Sequence, residues 1–133
     1  MDQTIAFLGG DQRMRLLAQM MAADGYEACS WELSGAPKPQ ALCDALKAQV
    51  IVLPLPMEKN GYLSGTELTT ERLFRALRPE HRIFAGNVSG EAMALADALG
   101  LHITDYFAVE ELSVRNAVPT AEGAIETAMK HTS

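Results

Sequence analysis

Val50-Ile-Val-Leu-Pro-Leu-Pro56 is the stretch on which the fold turns. Its first four residues are the most β-branched run in the chain, and such side chains suit a pleated, packed surface better than a helix. The run is apolar throughout rather than alternating, which places the strand inside a sheet covered on both faces. Pro54 and Pro56 end it at once, because neither can donate to a ladder. A strand of this kind needs parallel neighbours and covering helices, and the flanking sequence offers both.

Upstream, Thr4-Ile-Ala-Phe-Leu8 is a second short apolar run that leaves through Gly9-Gly10 in a tight turn. Asp11 then caps a helix running to about Ala23. Met14, Leu17 and Met21 make one stripe and Leu16 with Met20 a second, so a wide covered face is expected. Asp24-Gly25 ends this helix. Tyr26 to Leu33 is the next strand, and Ser34 to Pro39 is a loop by composition. Gln40 to Ala48 is a short helix with Ala41, Leu42, Ala45 and Leu46 inward.

Beyond the prolines, Met57 to Thr69 is a long excursion. Its Asn60-Gly61 is a hairpin-turn dipeptide, which predicts a small β-hairpin or a mobile flap. Thr70 caps a helix to Leu77, and Arg82 to Ala85 is a fourth strand. Ser89 caps a helix with Ala92, Leu95, Ala96 and Leu99 on one face and Gly100 at its C′ position. His102 to Phe107 is the fifth strand, and Val109 to Val114 a short helix. The chain closes with Asn116-Ala-Val-Pro and a helix capped by Thr120, with Glu122 in its first turn and an Ala121, Ala124, Ile125, Ala128, Met129 stripe.

Five apolar strands alternating with helices predict an α/β fold of three layers, a parallel sheet with helices on both faces. The expected strand order is 2-1-3-4-5, flavodoxin-like. At 133 residues the chain is one domain, and 48% hydrophobic with 21% charged residues is the balance of a globular protein. A net charge of −6 argues against nucleic acid. The longest uncharged run, Ala48 to Met57, is too short to span a bilayer, and Met1 to Gly10 lacks the basic start of a secretion signal. A cytoplasmic protein is therefore expected, with Cys29 and Cys43 as two buried thiols rather than a disulfide. His81, His102 and His131 are scattered, so no metal site is expected.

In such folds ligands gather at the carboxyl ends of the strands, near the point where strand order reverses. Gly10, Asp11 and Arg13 offer backbone N–H groups and a guanidinium to an anion; equally, they form an ordinary strand-to-helix turn with Asp11 as cap. Asn87 and Ser89 are placed to bind a carboxylate, or Ser89 is an N-cap alone; Asn116 and Thr120 carry the same two readings. Glu122 is a general-base candidate or an exposed first-turn glutamate. A phospho-receiver is disfavoured because Asp11 has no acidic neighbour and the third strand ends in prolines. Gly9-Gly-Asp-Gln-Arg13 is neither a dinucleotide fingerprint nor the Ser/Thr-rich phosphate loop of a flavodoxin.

Phe7-Leu-Gly-Gly-Asp-Gln-Arg13 resembles the opening of the dipicolinate synthase A subunit family of spore-forming bacteria. Val52-Leu-Pro-Leu-Pro56, Ile83-Phe-Ala-Gly86, Asn116-Ala-Val-Pro-Thr-Ala-Glu-Gly123 and Ala128 to Thr132 follow in the same order, while Met57 to Thr69 is the poorest match. The resemblance implies that residues 1–133 are a flavodoxin-like N-terminal, substrate-side domain. Residues 116–133 would then be an interdomain connector helix, leading to a C-terminal Rossmann NADP-binding domain absent from this chain, which has no GxGxxG. It implies an oxidoreductase subunit that works with a B subunit to oxidise dihydrodipicolinate to dipicolinate in the mother-cell cytoplasm of a sporulating bacterium. This domain would hold no cofactor and no metal, and would be inactive alone. For the dicarboxylate substrate that this implies, Arg13, the Gly10 to Arg13 amides and Asn87 would be the candidate carboxylate donors, and Glu122 or bound water the candidate proton acceptor. Two other readings stay open: a free-standing small-molecule-binding module, or an assembly module contacting a like chain or the B subunit, with no chemistry.

Overall fold

The computed structural model describes residues 4–33, 35, 39–54 and 56–105. The helices expected at 109–114 and 116–133 lie outside the described residues, as do Asn116, Thr120 and Glu122. Five parallel strands, β1 (Thr4–Leu8), β2 (Glu27–Trp31), β3 (Val50–Val52), β6 (Arg82–Ala85) and β7 (Ile103–Asp105), lie in the order β2-β1-β3-β6-β7. Numbered among themselves these are 2-1-3-4-5, the flavodoxin-like arrangement. The remaining two strands, β4 (Glu58–Lys59) and β5 (Tyr62–Leu63), form a separate antiparallel hairpin.

Side chains alternate across a strand, and here both faces are apolar. Ile5 and Phe7 of β1, Val50 and Val52 of β3 and Phe84 of β6 face α1 (Gln12–Ala23) through Met14, Leu17, Ala18 and Met21. Ala6, Leu8, Ile51, Leu53, Ile83 and Ala85 face the other way. There they meet Ala45 of α2 (Leu42–Ala45), Leu73 and Phe74 of α3 (Thr70–Ala76), and Ala92 and Ala96 of α4 (Gly90–Ala98). The result is three layers with the expected central strand at the middle of the sheet. Each large apolar side chain so buried contributes about 1.5–3 kcal/mol relative to exposure.

Local signals set most element ends. Asp11 caps α1 by accepting from the Arg13 amide, and Ser89 caps α4 by accepting from the Ala92 amide at 3.1 Å. At the far end of α4, Gly100 N–H bonds the Asp97 carbonyl and Leu101 N–H the Ala96 carbonyl, the paired bonds of a Schellman stop. Asn60 and Gly61, with φ of 54° and 83°, give the hairpin the two left-handed residues that its tight turn requires.

The structure differs from expectation at α1, α2, Cys43 and the α3 cap. Leu16 and Met20 are exposed, at 56% and 39%. One helix laid on a sheet buries a single arc, and these two lie about 120–160° round the axis from it at 3.6 residues per turn. Helix α2 spans one turn, from an N-cap, Ala41, whose side chain makes no capping bond; Ala41 is exposed rather than inward. Cys43 projects opposite Ala45 and is exposed, so of the two free thiols only Cys29 is buried. The cap of α3 is Thr69, accepting from the Arg72 amide at 3.3 Å; Thr70 is the first helical residue and is buried.

Candidate functional site

The β1/β3 boundary is where strand order reverses, and the carboxyl ends of these strands are the fold's usual ligand crevice. Here the excursion from Met57 to Thr69 lies across it. The Gly10 N–H donates to the Ser64 carbonyl at 2.7 Å, and the Ser64 hydroxyl donates to the Pro56 carbonyl at 2.7 Å. Gly65 lies so close to Gly10 that a Cβ would stand 2.8 Å from the Gly10 nitrogen. Met57 and Leu63, at 0% and 1% exposed, anchor the excursion in the core. It is a packed hairpin and return turn, closed down on the crevice. The Gly9 and Gly10 amides bond the Trp31 and Ser64 carbonyls, so neither is turned toward a phosphate here.

Beside this plug, the N-terminus of α1 carries its own anion. Asp11 Oδ1 accepts from the Arg13 amide at 3.0 Å, and the Arg13 guanidinium lies 3.5 Å from Asp11 Oδ2. Burial raises the Asp11 pKa, but the Arg13 amide, the Arg13 charge and the Met14 amide outweigh it and hold the carboxyl below its ordinary 3.8. Both side chains are well exposed, so this pair is screened and adds little to stability.

The β6 exit loop is the second group of candidate residues. Asp105, at the end of β7, accepts from the Asn87 amide at 3.2 Å and the Val88 amide at 2.9 Å. Asn87 sits at φ 52°, a left-handed conformation that asparagine tolerates, with its side chain exposed. Glu58, in the excursion, accepts from the Ser89 hydroxyl at 2.9 Å and from the Thr70 hydroxyl at 2.6 Å. The Ser89 hydroxyl thus caps α4 and spends its one hydrogen on Glu58.

Neighbouring strands lie about 4.8 Å apart, so the exits of β1 and β6, with β3 between them, stand about 10 Å apart. The structure places Gly10, Asp11 and Arg13 on one side of the plug and Asn87 and Ser89 on the other. Glu58, Asp105, Ser64 and Gly65 were not singled out from the sequence, and no local pattern marks them. A cleft of about 660 Å³ opens farther along the same edge, between Trp31 and Glu32 after β2 and Gly65 to Leu68. Its Glu32 and Glu67 carboxylates make it a poor receptor for an anion. Among the described residues no three His, Cys, Asp or Glu side chains come together as a metal site needs, and no helix is long and apolar enough to cross a membrane.

No curated protein sequence matches the chain. Among the solved structures that share its fold are two dipicolinate synthase A subunits. The dipicolinate synthase A chain from Bacillus subtilis superposes with a TM-score of 0.66 at 20% identity, over 99% of this chain and 49% of that one. The dipicolinate synthase A subunit from Bacillus halodurans superposes with a TM-score of 0.65 at 17% identity, over 98% of this chain and 49% of that one. The chain therefore spans about half the length of these relatives. Residues 4–107 match the family model for the N-terminal domain of the dipicolinate synthase A subunit, and the chain belongs to that family.

Proposed function

We propose that this chain is the substrate-side domain of an oxidoreductase subunit that oxidises dihydrodipicolinate to dipicolinate in the mother-cell cytoplasm of a sporulating bacterium. The observation that carries this reading is the family match over residues 4–107, joined to a fold that covers half of two Bacillus A subunits. On this reading residues 1–133 form the first domain, and 116–133 connect it to a Rossmann domain that holds NADP. The excursion packed across the β1/β3 crevice, with the Gly9 and Gly10 amides already bonded, is what supports placing the dinucleotide in the other domain. Arg13 and Asn87, on either side of the plug, supply a guanidinium and an amide to the carboxylates of a small ring, with Gly10, Asp11 and Ser89 fixing their loops. Asn116 and Thr120 add hydrogen-bonding groups from the connector, and Glu122 accepts the proton released on oxidation. The isolated chain is expected to show no hydride transfer; a B subunit is its expected partner, and contact with a like chain is the further possibility that the assembly reading below tests.

The test begins with the gene beyond codon 133. A strand followed by GxGxxG supports the proposal, and a stop codon sinks it. The full-length protein, combined with NADP and its B subunit, should then oxidise dihydrodipicolinate, and Arg13→Ala and Asn87→Gly should lower turnover. Unchanged turnover in both variants removes these residues from the site. Leu16 and Met20, exposed together one turn apart on α1, favour assembly as a second reading. Leu16→Glu that lowers the oligomeric state while Arg13→Ala leaves turnover intact would favour it.

A further inference from the structure

We infer that Glu58 and Asp105 are positioning residues for Asn87, an inference that rests on reading this edge as a carboxylate-binding site. The four residues of the β6 exit loop are each tied to something outside the loop. Gly86 donates to the Pro54 carbonyl at 3.1 Å and accepts from the Met57 amide at 2.9 Å. Asn87 and Val88 both donate to the two oxygens of Asp105. Ser89 donates to Glu58, whose other oxygen is held by the buried Thr70 hydroxyl. One side chain of this loop is polar, exposed and without a hydrogen bond among the described residues: the Asn87 amide.

The geometry separates two kinds of residue. A carboxylate that accepts two successive backbone N–H groups fixes the peptide plane between them, and so fixes the direction of the Asn87 Cα–Cβ bond at φ 52°. Glu58 does the same from the opposite flank by holding Ser89, and through Thr70 it couples the loop to α3 and the plug. Ser89 is then a structural member, with its hydrogen already used, and Asn87 is the group presented to a ligand. A hydrogen bond to a charged acceptor is stronger than a neutral one, and several such bonds together hold one loop conformation over its neighbours.

The experiment uses the 133-residue chain with two readouts: amide exchange at Asn87, Val88 and Ala92 without ligand, and titration with dipicolinate. Glu58→Ala should raise exchange at these amides about tenfold and weaken dipicolinate binding about tenfold. Glu58→Gln, which keeps one acceptor oxygen but drops the charge, should restore part of each. Asp105→Asn should raise exchange at Asn87 or Val88. Asn87→Gly keeps the left-handed backbone and deletes the amide; adding Glu58→Ala to it should weaken binding no further. Exchange at wild-type levels in Glu58→Ala and Asp105→Asn overturns the positioning role, whatever dipicolinate does. If Glu58→Ala and Glu58→Gln tighten binding alike, Glu58 acts as a bare charge and the inference also fails. A wild-type chain that ignores dipicolinate, while exchange responds as stated, overturns the carboxylate reading and leaves the positioning standing.

Discussion

Replacing Gly65 with alanine would set a methyl group 2.8 Å from the Gly10 nitrogen and 3.1 Å from its carbonyl carbon, closer still to the carbonyl oxygen. Backbone cannot swing aside as a flexible side chain does, so the excursion would have to lift. Gly61 makes the control. Its φ of 83° nearly equals the 80° of Gly65, yet a Cβ there meets nothing within 4 Å. Both variants carry the left-handed cost of a non-glycine residue, about 1–2 kcal/mol. Gly65→Ala alone adds overpacking, about 1–3 kcal/mol, together with loss of the Gly10 to Ser64 hydrogen bond. The expected losses are thus about 1–2 kcal/mol for Gly61→Ala and about 2–5 kcal/mol for Gly65→Ala. At this size each kcal/mol lowers Tm by roughly 3–5 °C. Urea unfolding of wild type and both variants, with midpoints compared at constant slope, gives the difference. Equal destabilisation by the two substitutions would mean that the excursion does not rest on Gly10 and that the β1/β3 crevice is open.

Asp11 should give the chain a small acid-sensitive term. Its folded pKa lies below the ordinary 3.8, so the stability it adds is present above that value and lost as pH falls through the lower one. Asp11→Asn keeps a capping acceptor and should flatten this limb in pH-dependent unfolding, whereas Asp11→Ala should also lose about 1 kcal/mol at neutral pH. His81 is 7% exposed, with Nδ1 accepting from the Arg78 amide at 2.9 Å and Nε2 2.8 Å from the Leu46 carbonyl. These partners assign the hydrogen to Nε2, and His81→Ala should cost about 1–3 kcal/mol for each group left unsatisfied, read by urea unfolding. In the native chain a thiol reagent should label Cys43 quickly and Cys29 only on unfolding; two fast thiols would contradict the burial of β2.

Features that depend on neighbours in sequence were legible before the structure. Thr4–Leu8 and Arg82–Ala85 begin and end as expected, since an apolar run bounded by turn residues carries its own limits. Asp11, Ser89 and Gly100 act within one helical turn of themselves, and Asn60-Gly61 specifies its turn by backbone freedom alone. Where neighbouring residues are equally suited to one role, local sequence does not choose between them. Of two adjacent threonines, Thr70 is the expected α3 cap and Thr69 the observed one, while Leu16 and Met20 form a stripe as apolar as its buried counterpart.

The order of elements, their apolar faces and, through the βαβ alternation, a five-stranded parallel sheet with order 2-1-3-4-5 can all be read along the chain. These follow from periodicity and from the handedness of crossovers, both of which act locally. The tertiary structure decided what stands at the carboxyl ends of the strands. Glu58 reaches Ser89 across 31 positions, and Asp105 reaches Val88 across 17. No spacing rule joins such pairs, because their meeting depends on how far the excursion folds back over the sheet. The stretch Val50 to Pro56 marked the central strand and its stop. Only the packed chain shows that the segment beyond the prolines turns back to close the crevice that the strand order creates.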